Sequence, residues 1–283
     1  MNANRRCHAA GKLCRALNIT CSSYYAWKTR KPGKREQSNQ QLSRLILGLH
    51  QRYPALGLDS IYHILKRDCI CSRGRIHRLM KRLGVHSIRK RAFRNTTNSN
   101  HRHPIAPNLL NRNFYASDPN LVWIGDITYI PTGEGWLYLA VIKDLYTKMV
   151  VGYAFSERID TNLTLEALRM AYHRQKPTKG LIFHSDRGVQ YAADAYRQQL
   201  KCFRITQSMS RKGDPYDNAV AENFFSCLKC ELVHHNQFDT RKHAENAIFS
   251  YIEGFYNNFR PHSGIGWMSP KQFALTYHSS AVA

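Results

Sequence analysis

Three carboxylates in this 283-residue chain stand where an acid is hard to accommodate. Asp126 interrupts the apolar run Leu121-Val-Trp-Ile-Gly-Asp-Ile-Thr-Tyr-Ile130. Asp186 follows the run Leu181-Ile-Phe-His-Ser-Asp-Arg-Gly188, and Glu222 lies within Asn218-Ala-Val-Ala-Glu-Asn-Phe-Phe225. Carboxylates are almost never fully buried unless they are paired or bound to a cation. Three of them at the margin of an apolar core point to a divalent-metal site. Such a site beside phosphate does phosphoryl transfer. Lys229 follows Glu222 by seven residues, about two helical turns on and on the same face, where it can reach a phosphate.

Spacing alone is a weak signal; the elements that carry the acids make it specific. Residues 121–130, 136–143 and 148–155 predict three successive strands. Turns at Thr132-Gly-Glu-Gly135 and Tyr146-Thr-Lys148 make them an antiparallel meander. A helix is expected over 161–175, a strand at 181–184, a helix at 190–200, a strand near 203–206 and a Gly/Pro/Asp loop at 207–217. The helix of Glu222 should run to about 230, with another over about 240–257. This is an α/β layout with a mixed sheet. It places Asp126 in mid-strand after Gly125 and Asp186 just past a strand. Glu222 falls one turn into a helix capped by Asp217 or Asn218. Asp144 reads as a strand-end structural acid, and Asp214 and Asp217 as turn and cap residues. His184 reads as a neighbour that shapes the site, and Trp123 and Trp136 as core. Arg211 and Lys212 are candidate DNA contacts, set against plain solvation.

Upstream, residues 9–28 read as a helix pair broken at Asn18, with Thr20 or Ser22 as the second cap. A basic linker, Thr29-Arg-Lys-Pro-Gly-Lys-Arg35, leads to helices expected over 38–52, Asp59–Asp68 and Arg73–Leu83. Ser72 caps the last of these and Gly84 ends it. Ile76, Leu79, Met80 and Leu83 form its apolar stripe. Arg73, Arg75, Arg78, Lys81 and Arg82 take most of the remainder, the outline of a recognition helix entering a DNA groove. The bland alternative is a solvated basic face on a helical bundle.

Charge favours DNA. The net charge is +23, and residues 1–105 hold 23 Lys/Arg against three acids, whereas residues 106–283 hold 19 against 16. A strongly basic region joined to a near-neutral one fits a polyanionic partner. A membrane-surface helix would need a sustained apolar face, which the basic region lacks. No apolar run approaches the length of a membrane span, and the first residues lead into no secretory h-region, so a cytoplasmic location is expected. The eight cysteines show no paired C-x-x-C or His partners at zinc spacing; reduced thiols are the expectation, with Cys227 and Cys230 on the helix of Glu222.

Taken together these residues closely resemble the OrfB-type transposases of the IS-three insertion-sequence family, within the DDE transposase and retroviral integrase superfamily. The resemblance covers nearly the whole chain. It rests on Trp123-Ile-Gly-Asp-Ile-Thr-Tyr129, Gly135-Trp-Leu-Tyr-Leu-Ala140, His184-Ser-Asp-Arg-Gly-Val-Gln-Tyr191 and Asp217-Asn-Ala-Val-Ala-Glu-Asn-Phe-Phe225 with Lys229. Tyr256-Asn-Asn-Phe-Arg-Pro-His262 and Ser269-Pro270 also match, as does Ile76–Gly84 upstream. One departure is Ala55-Leu-Gly-Leu-Asp-Ser60, where the family often carries a Gly-Tyr-Arg-Arg stretch. Arg260 and His262 match a signature without a role beyond packing or DNA contact.

The resemblance implies an RNase H-like integrase catalytic core preceded by an all-helical, helix-turn-helix-like basic region. The expected division is a basic helical segment at 1–37, the helix-turn-helix-like region at 38–95, a linker at 96–112, the catalytic core at 113–275 and a tail at 276–283. It implies cleavage at insertion-sequence ends and transfer of the 3′-hydroxyl to DNA. Two Mg²⁺ ions, replaceable by Mn²⁺, would be held by Asp126, Asp186 and Glu222, with no covalent enzyme intermediate. Its implied partners are double-stranded DNA, further copies of the chain on that DNA, and an upstream OrfA-type protein joined by frameshift fusion. The setting would be the bacterial cytoplasm, on the nucleoid when DNA-bound. Two alternatives remain at this point: a nuclease of the same fold that cuts without joining, and a DNA-binding regulator without catalysis.

Overall fold

The computed structural model describes residues 9–88, 104–178, 180–211 and 219–281. The helical region begins with α1 (Ala10–Ala16) and α2 (Cys21–Thr29), separated at Asn18, whose φ of 52° ends the first helix. The Thr20 hydroxyl caps α2 by accepting the Ser23 N–H. Three longer helices follow: α3 (Lys34–Arg52), α4 (Leu58–Leu65) and α5 (Arg73–Arg82). The Ser72 hydroxyl accepts the Arg75 N–H, and Gly84, at φ 68°, provides the left-handed residue that stops α5. Leu42, Ile46, Ile61, Ile64, Ile76, Leu79 and Met80 bury the apolar faces of α3, α4 and α5 against one another.

The second region is built on a five-stranded mixed sheet in the order β3-β2-β1-β4-β5. Strands β1 (Val122–Thr132), β2 (Gly135–Asp144) and β3 (Val150–Ser156) form the expected meander. Helix α6 (Thr161–Gln175), capped by Asp160, carries the chain across to β4 (Ile182–Ser185), which pairs parallel with β1. After α7 (Val189–Ala192) and α8 (Asp194–Cys202), β5 (Thr206–Met209) pairs parallel with β4. Helices α9 (Ala219–Glu231) and α10 (Arg241–Phe249), a π-helical stretch Ser250–Tyr256 and α11 (Pro270–Ala281) complete the chain.

Several element boundaries differ from the sequence reading. The expected strand near 203–206 is displaced to β5, because Phe203–Ile205 is spent on a turn with Arg204 at φ 57°. The expected helix at 190–200 is two helices, broken at Ala193. Helix α11 was not anticipated and crosses the expected boundary at 275. Pro270 occupies its first turn, where a missing N–H does no harm, and the Ser269 hydroxyl accepts the Gln272 N–H.

Each face of the sheet is covered. Trp123, Ala140, Ile142, Val151 and Phe183 pack beneath α6 and α8. On the other face Ile130, Leu137, Leu139 and Val141 join Phe224, Phe225 and Leu228 of α9 and Tyr251–Tyr256 of the π-helical stretch. The same apolar cluster continues into α3, α4 and α5, so the basic helical region is seated on the sheet region. Tyr53 stacks on Phe255 at 4.3 Å and on Phe259 at 5.3 Å, and His63 stacks on Trp267 at 4.3 Å.

The signature Tyr256–His262 is part of this joint. The buried Asn257 side chain pairs with both backbone groups of Val150, accepting its N–H and donating to its carbonyl, each at 2.9 Å. It thus extends β3 with a side-chain amide. Arg260 makes a two-pronged ion pair with Glu231, Nη2 to Oε1 at 2.7 Å and Nε to Oε2 at 2.9 Å, and Nη2 also donates to Cys227 Sγ at 3.3 Å. Burial alone would lower the Arg260 pKa; the Glu231 carboxylate outweighs it and raises it. Burial, reinforced by Arg260, Lys143 and Lys148, pushes His262 down to about 2, so its imidazole stays neutral.

Candidate active site

Strand register brings the first two acids together. Ile124 of β1 faces His184 of the parallel β4, so two residues further on Asp126 and Asp186 stand level, just past the end of β4. Neighbouring strands lie about 4.8 Å apart. The approach depends on Gly125: a Cβ there would fall 2.4 Å from the Phe183 ring. Asp126 Oδ1 accepts the Ile127 N–H at 2.8 Å, and Asp186 Oδ1 accepts the Gly188 N–H at 2.9 Å. Arg187 Nε donates to the Ser210 carbonyl at 2.7 Å and ties the loop after β4 to the end of β5.

Burial, and then the negative charge of Asp186, pushes the Asp126 carboxyl well above the ordinary carboxylate range. Glu222 adds to the rise, while the Ile127 N–H and Lys229 oppose it. Glu222, exposed in the first turn of α9, is raised by its own partial burial. Lys229 is lowered by burial and pulled back by Asp126. Its Nζ lies 4.7 Å from the centre of the Tyr129 ring. Among the described residues no three of His, Cys, Asp or Glu converge closely enough to ligate one ion. Asp126 and Asp186 stand level at the end of β4, and the negative charges of Asp186 and Glu222 are both felt at Asp126. The donor set suits a hard divalent cation: oxygen ligands only, with like charges that a cation would relieve.

That electrostatic conflict has a measurable consequence. The folded chain binds the Asp126 proton more tightly than the unfolded chain does. Its stabilising contribution is therefore fully present below the ordinary carboxylate pKa and is lost as pH rises through the raised one. Asp126→Asn should therefore raise the melting temperature of the metal-free protein near neutral pH, with the gap to wild type closing as the pH is lowered toward 4. A gap that is absent at neutral pH, or that widens in acid, would show that Asp126 is not held against its neighbours.

The neighbours sort clearly. His184 is fully buried, with Nδ1 2.8 Å from Ser208 Oγ, which accepts the Leu109 N–H at 2.9 Å. It braces β4 on β5 beneath the acids. Asp144 is structural: it accepts the Asn120 N–H and both the N–H and the hydroxyl of Thr147, closing the turn after β2. Trp123 is core, with Nε1 donating to Asn120 Oδ1. Trp136 is not: 43% of it is exposed where it opens β2 at the hairpin after β1.

The basic candidates divide in the same way. Arg73 is paired with Asp59 at 2.6 Å, and Arg75 donates to Asn39 and Ser38, so both hold α5 to its neighbouring helices. Arg78, Lys81 and Arg82 are exposed. Arg211 is exposed at the end of β5 and donates to Asn111 Oδ1 at 3.4 Å. Lys212, Asp214, Asp217 and Asn218 lie outside the described residues. Sequence reasoning missed the contacts of Tyr129 with Trp136 and with Lys229, and the Glu231–Arg260 pair; alternation along the 121–130 and 136–143 runs, paired as a hairpin, could have put Tyr129 and Trp136 on one face. A cavity of about 760 Å³, lined by Tyr53, Leu56, Glu231, Tyr251 and Phe255, lies between the helical region and the π-helical stretch, away from the acids.

Residues 116–215 and 203–270 each match a family model described as an integrase core domain, and residues 37–93 match an HTH-like domain. The chain is 45% identical over 273 residues to the insertion element IS600 uncharacterized 31 kDa protein of Shigella sonnei, covering 95% of this chain and all of that one. It is 38% identical over 267 residues to the transposase InsF for insertion sequence IS3A of Escherichia coli (strain K12), covering 92% of each. Among solved structures, the catalytic core domain of BIV integrase aligns with a TM-score of 0.42 at 18% identity, over 58% of this chain and 99% of that one.

Proposed function

This chain belongs to the IS3 family of insertion-sequence transposases, and from that premise we propose that Asp126, Asp186 and Glu222 are the carboxylates that carry its cutting and joining of DNA. The observation that carries the reading is the level placement of Asp126 and Asp186 past β4, with Asp126 driven toward its protonated form by burial and by its acidic neighbours. An acid pair in that condition is poised for a divalent cation. The three carboxylates would hold two Mg²⁺ ions, with Mn²⁺ able to substitute, and Glu222 would swing onto the pair as they bind. When bound, the ions supply activation of water or of a 3′-hydroxyl and stabilisation of the leaving oxygen.

The chain's own residues do the rest. Asp126 is fixed by β1 and the Gly125 contact; Asp186 is fixed by the Gly188 N–H. Lys229, held over Tyr129, presents its ammonium to a phosphate beside the acids. In-line attack by water and later by a DNA end needs no Ser, Tyr or Cys nucleophile. Double-stranded DNA, both the element's ends and the target, is the partner. The chain would act as several copies on that DNA, in the bacterial cytoplasm, alone or fused to an upstream OrfA-type protein. A strand-transfer assay with labelled ends tests the reading: joined product supports it, while cleavage alone or binding alone would replace it with a nuclease or a regulator.

Arg78, Lys81 and Arg82, exposed on α5, are the residues of the helical region proposed to meet DNA, together with Arg211 and Lys212. Replacing those three by alanine should weaken DNA binding across sequences and reduce the slope of log K against log salt by about 3. Replacing Arg73 or Arg75 should act chiefly on the melting temperature, because both are engaged within the region. Binding titrations at several salt concentrations check this; an unchanged slope in the triple variant would remove α5 from the interface.

A further inference from the structure

The Glu231–Arg260 pair accounts for only part of the charge beneath α9. Lys143, near the end of β2, is 5% exposed, and among the described residues its Nζ has no hydrogen-bond or ion-pair partner. Its ammonium lies 5.7 Å from the centre of the Tyr256 ring, and the Arg260 guanidinium lies 5.8 Å from the same centre. Lys148 adds a third cation, with Nζ donating to the Leu145 carbonyl at 2.6 Å and the Asp144 charge acting on it. His262 stays neutral, its Nε2 buried without a partner. The carboxylate under α9 is Glu231, which Arg260 and Tyr251 already engage. A buried ammonium without a counter-charge is costly, so an anion belongs beside Lys143.

Cys227 of α9 can supply it. Its Sγ accepts Arg260 Nη2 at 3.3 Å and lies 3.9 Å from Asn223 Oδ1. Burial, and then Lys148, bring the Lys143 amine down to about 7; the Cys227 charge opposes that fall and Arg260 adds to it. An amine in that condition can take the proton of a neighbouring thiol near neutral pH. A thiol beside cations ionises readily, and a nucleophile with a base on one side and an orienting group on the other is activated. The sulfur is half-buried, so a small reagent can reach it.

We propose that Cys227 is an activated thiolate and a site of reversible modification by small-molecule disulfides, with Lys143 as its base and Arg260 as the cation that holds the sulfur. The thiol proton passes to Lys143 Nζ. The thiolate attacks one sulfur of the disulfide, and a new S–S bond forms to Cys227 as the old one breaks. The leaving thiolate departs with the electron pair and takes the proton from Lys143. The adduct displaces the Arg260 contact on the helix that also carries Glu222 and Lys229. Loss of DNA joining is the consequence. That consequence rests on the reading of Glu222 as part of the cutting and joining centre; the chemistry at sulfur does not.

The test incubates the full chain with glutathione disulfide across a range of pH and maps each cysteine by peptide mass. Near neutral pH, Cys227 is expected to gain the adduct about tenfold faster than Cys202, which is exposed at the end of α8. Dithiothreitol should restore the unmodified mass. Lys143→Met, similar in volume, should move the pH of half-maximal rate at Cys227 upward by about one unit, where a merely structural lysine would leave it in place. A Cys227 rate no greater than that of Cys202, or a pH profile unchanged in Lys143→Met, overturns the proposal. Joining on the same samples should fall with the fraction modified in wild type and stay level in Cys227→Ser; an equal fall in both overturns Cys227 as the point of control. If the chain joins no DNA at all, the carboxylate reading fails, and the mass and pH readings still decide the thiolate.

Discussion

Asp126→Asn is expected to lower strand joining by at least about 10³-fold, about 4 kcal/mol of activation free energy, with the fold intact. Asparagine is nearly isosteric, and its amide oxygen can still accept the Ile127 N–H that Asp126 Oδ1 now accepts. What disappears is one negative charge at the point where Asp126 and Asp186 stand level. A neutral amide is a poor substitute where a hard cation must be held between charged oxygens. Asp186→Asn and Glu222→Gln should fall in the same class. Asp186→Asn leaves an amide oxygen for the Gly188 N–H, so a loss there also reports charge and not loop collapse. Measured on labelled ends at matched protein concentration, joining within tenfold of wild type in any of the three would remove that residue from the centre.

Arg260→Ala should be the most destabilising single change among the residues discussed, by about 3–5 kcal/mol, because it strands a buried carboxylate. The Glu231 side chain is 4% exposed and that of Arg260 12%, and Tyr251 Oη also donates to Glu231 at 2.8 Å. Arg260→Lys should recover little, since an ammonium cannot reproduce the two-pronged contact through Nε and Nη2. Exchanging both partners for apolar residues, Arg260→Met with Glu231→Leu, should recover most of the loss. Chemical denaturation of the four proteins measures this. A double variant no more stable than Arg260→Ala would show that the cost does not come from an unpaired Glu231. The same result would bear on the signature Tyr256–His262, whose residues here join α9, β3 and the π-helical stretch: Asn257 on Val150, Arg260 on Glu231, and a neutral His262 against Tyr256 at 4.8 Å.

The acids were legible because each breaks a local pattern. Asp126 and Asp186 interrupt or end apolar runs, and Glu222 sits in an apolar helical one, so their cost could be read without knowing the sheet. Gly125 before Asp126 was visible as a residue, but its reason was not: the close approach of Phe183 is set by β1 pairing with β4 across nearly 60 residues of chain. The meander was legible because turn residues punctuate period-two runs. The place of β5 was not, because an apolar run continues through Phe203 and Ile205 while Arg204 turns the backbone to positive φ. Trp136 reads as core in an alternating strand, and only the tertiary arrangement leaves its side chain exposed. The Glu231–Arg260 pair joins two elements 29 residues apart, and nothing local to either residue announces it.

The basic helical region was legible as charge but not as packing. Its arginines divide into those that hold helices together, Arg73 and Arg75, and those left in solvent, Arg78, Lys81 and Arg82. Sequence treats all five alike. Its apolar faces also serve twice, closing the helical region on itself and seating it on the sheet through Tyr53 and His63. DNA bound to α5 would therefore be carried by the same packed body that holds the acids.

The most direct test of the central claim is to locate the cation. Fe²⁺ is loaded in place of Mg²⁺, hydroxyl radicals are generated from it with ascorbate and peroxide, and the backbone cuts are mapped. Cuts grouped around residues 126, 186 and 222, competed away by Mg²⁺ and lost in Asp126→Asn, are the predicted result. Cuts grouped elsewhere, or a pattern unchanged in Asp126→Asn, would contradict the assignment of the three carboxylates.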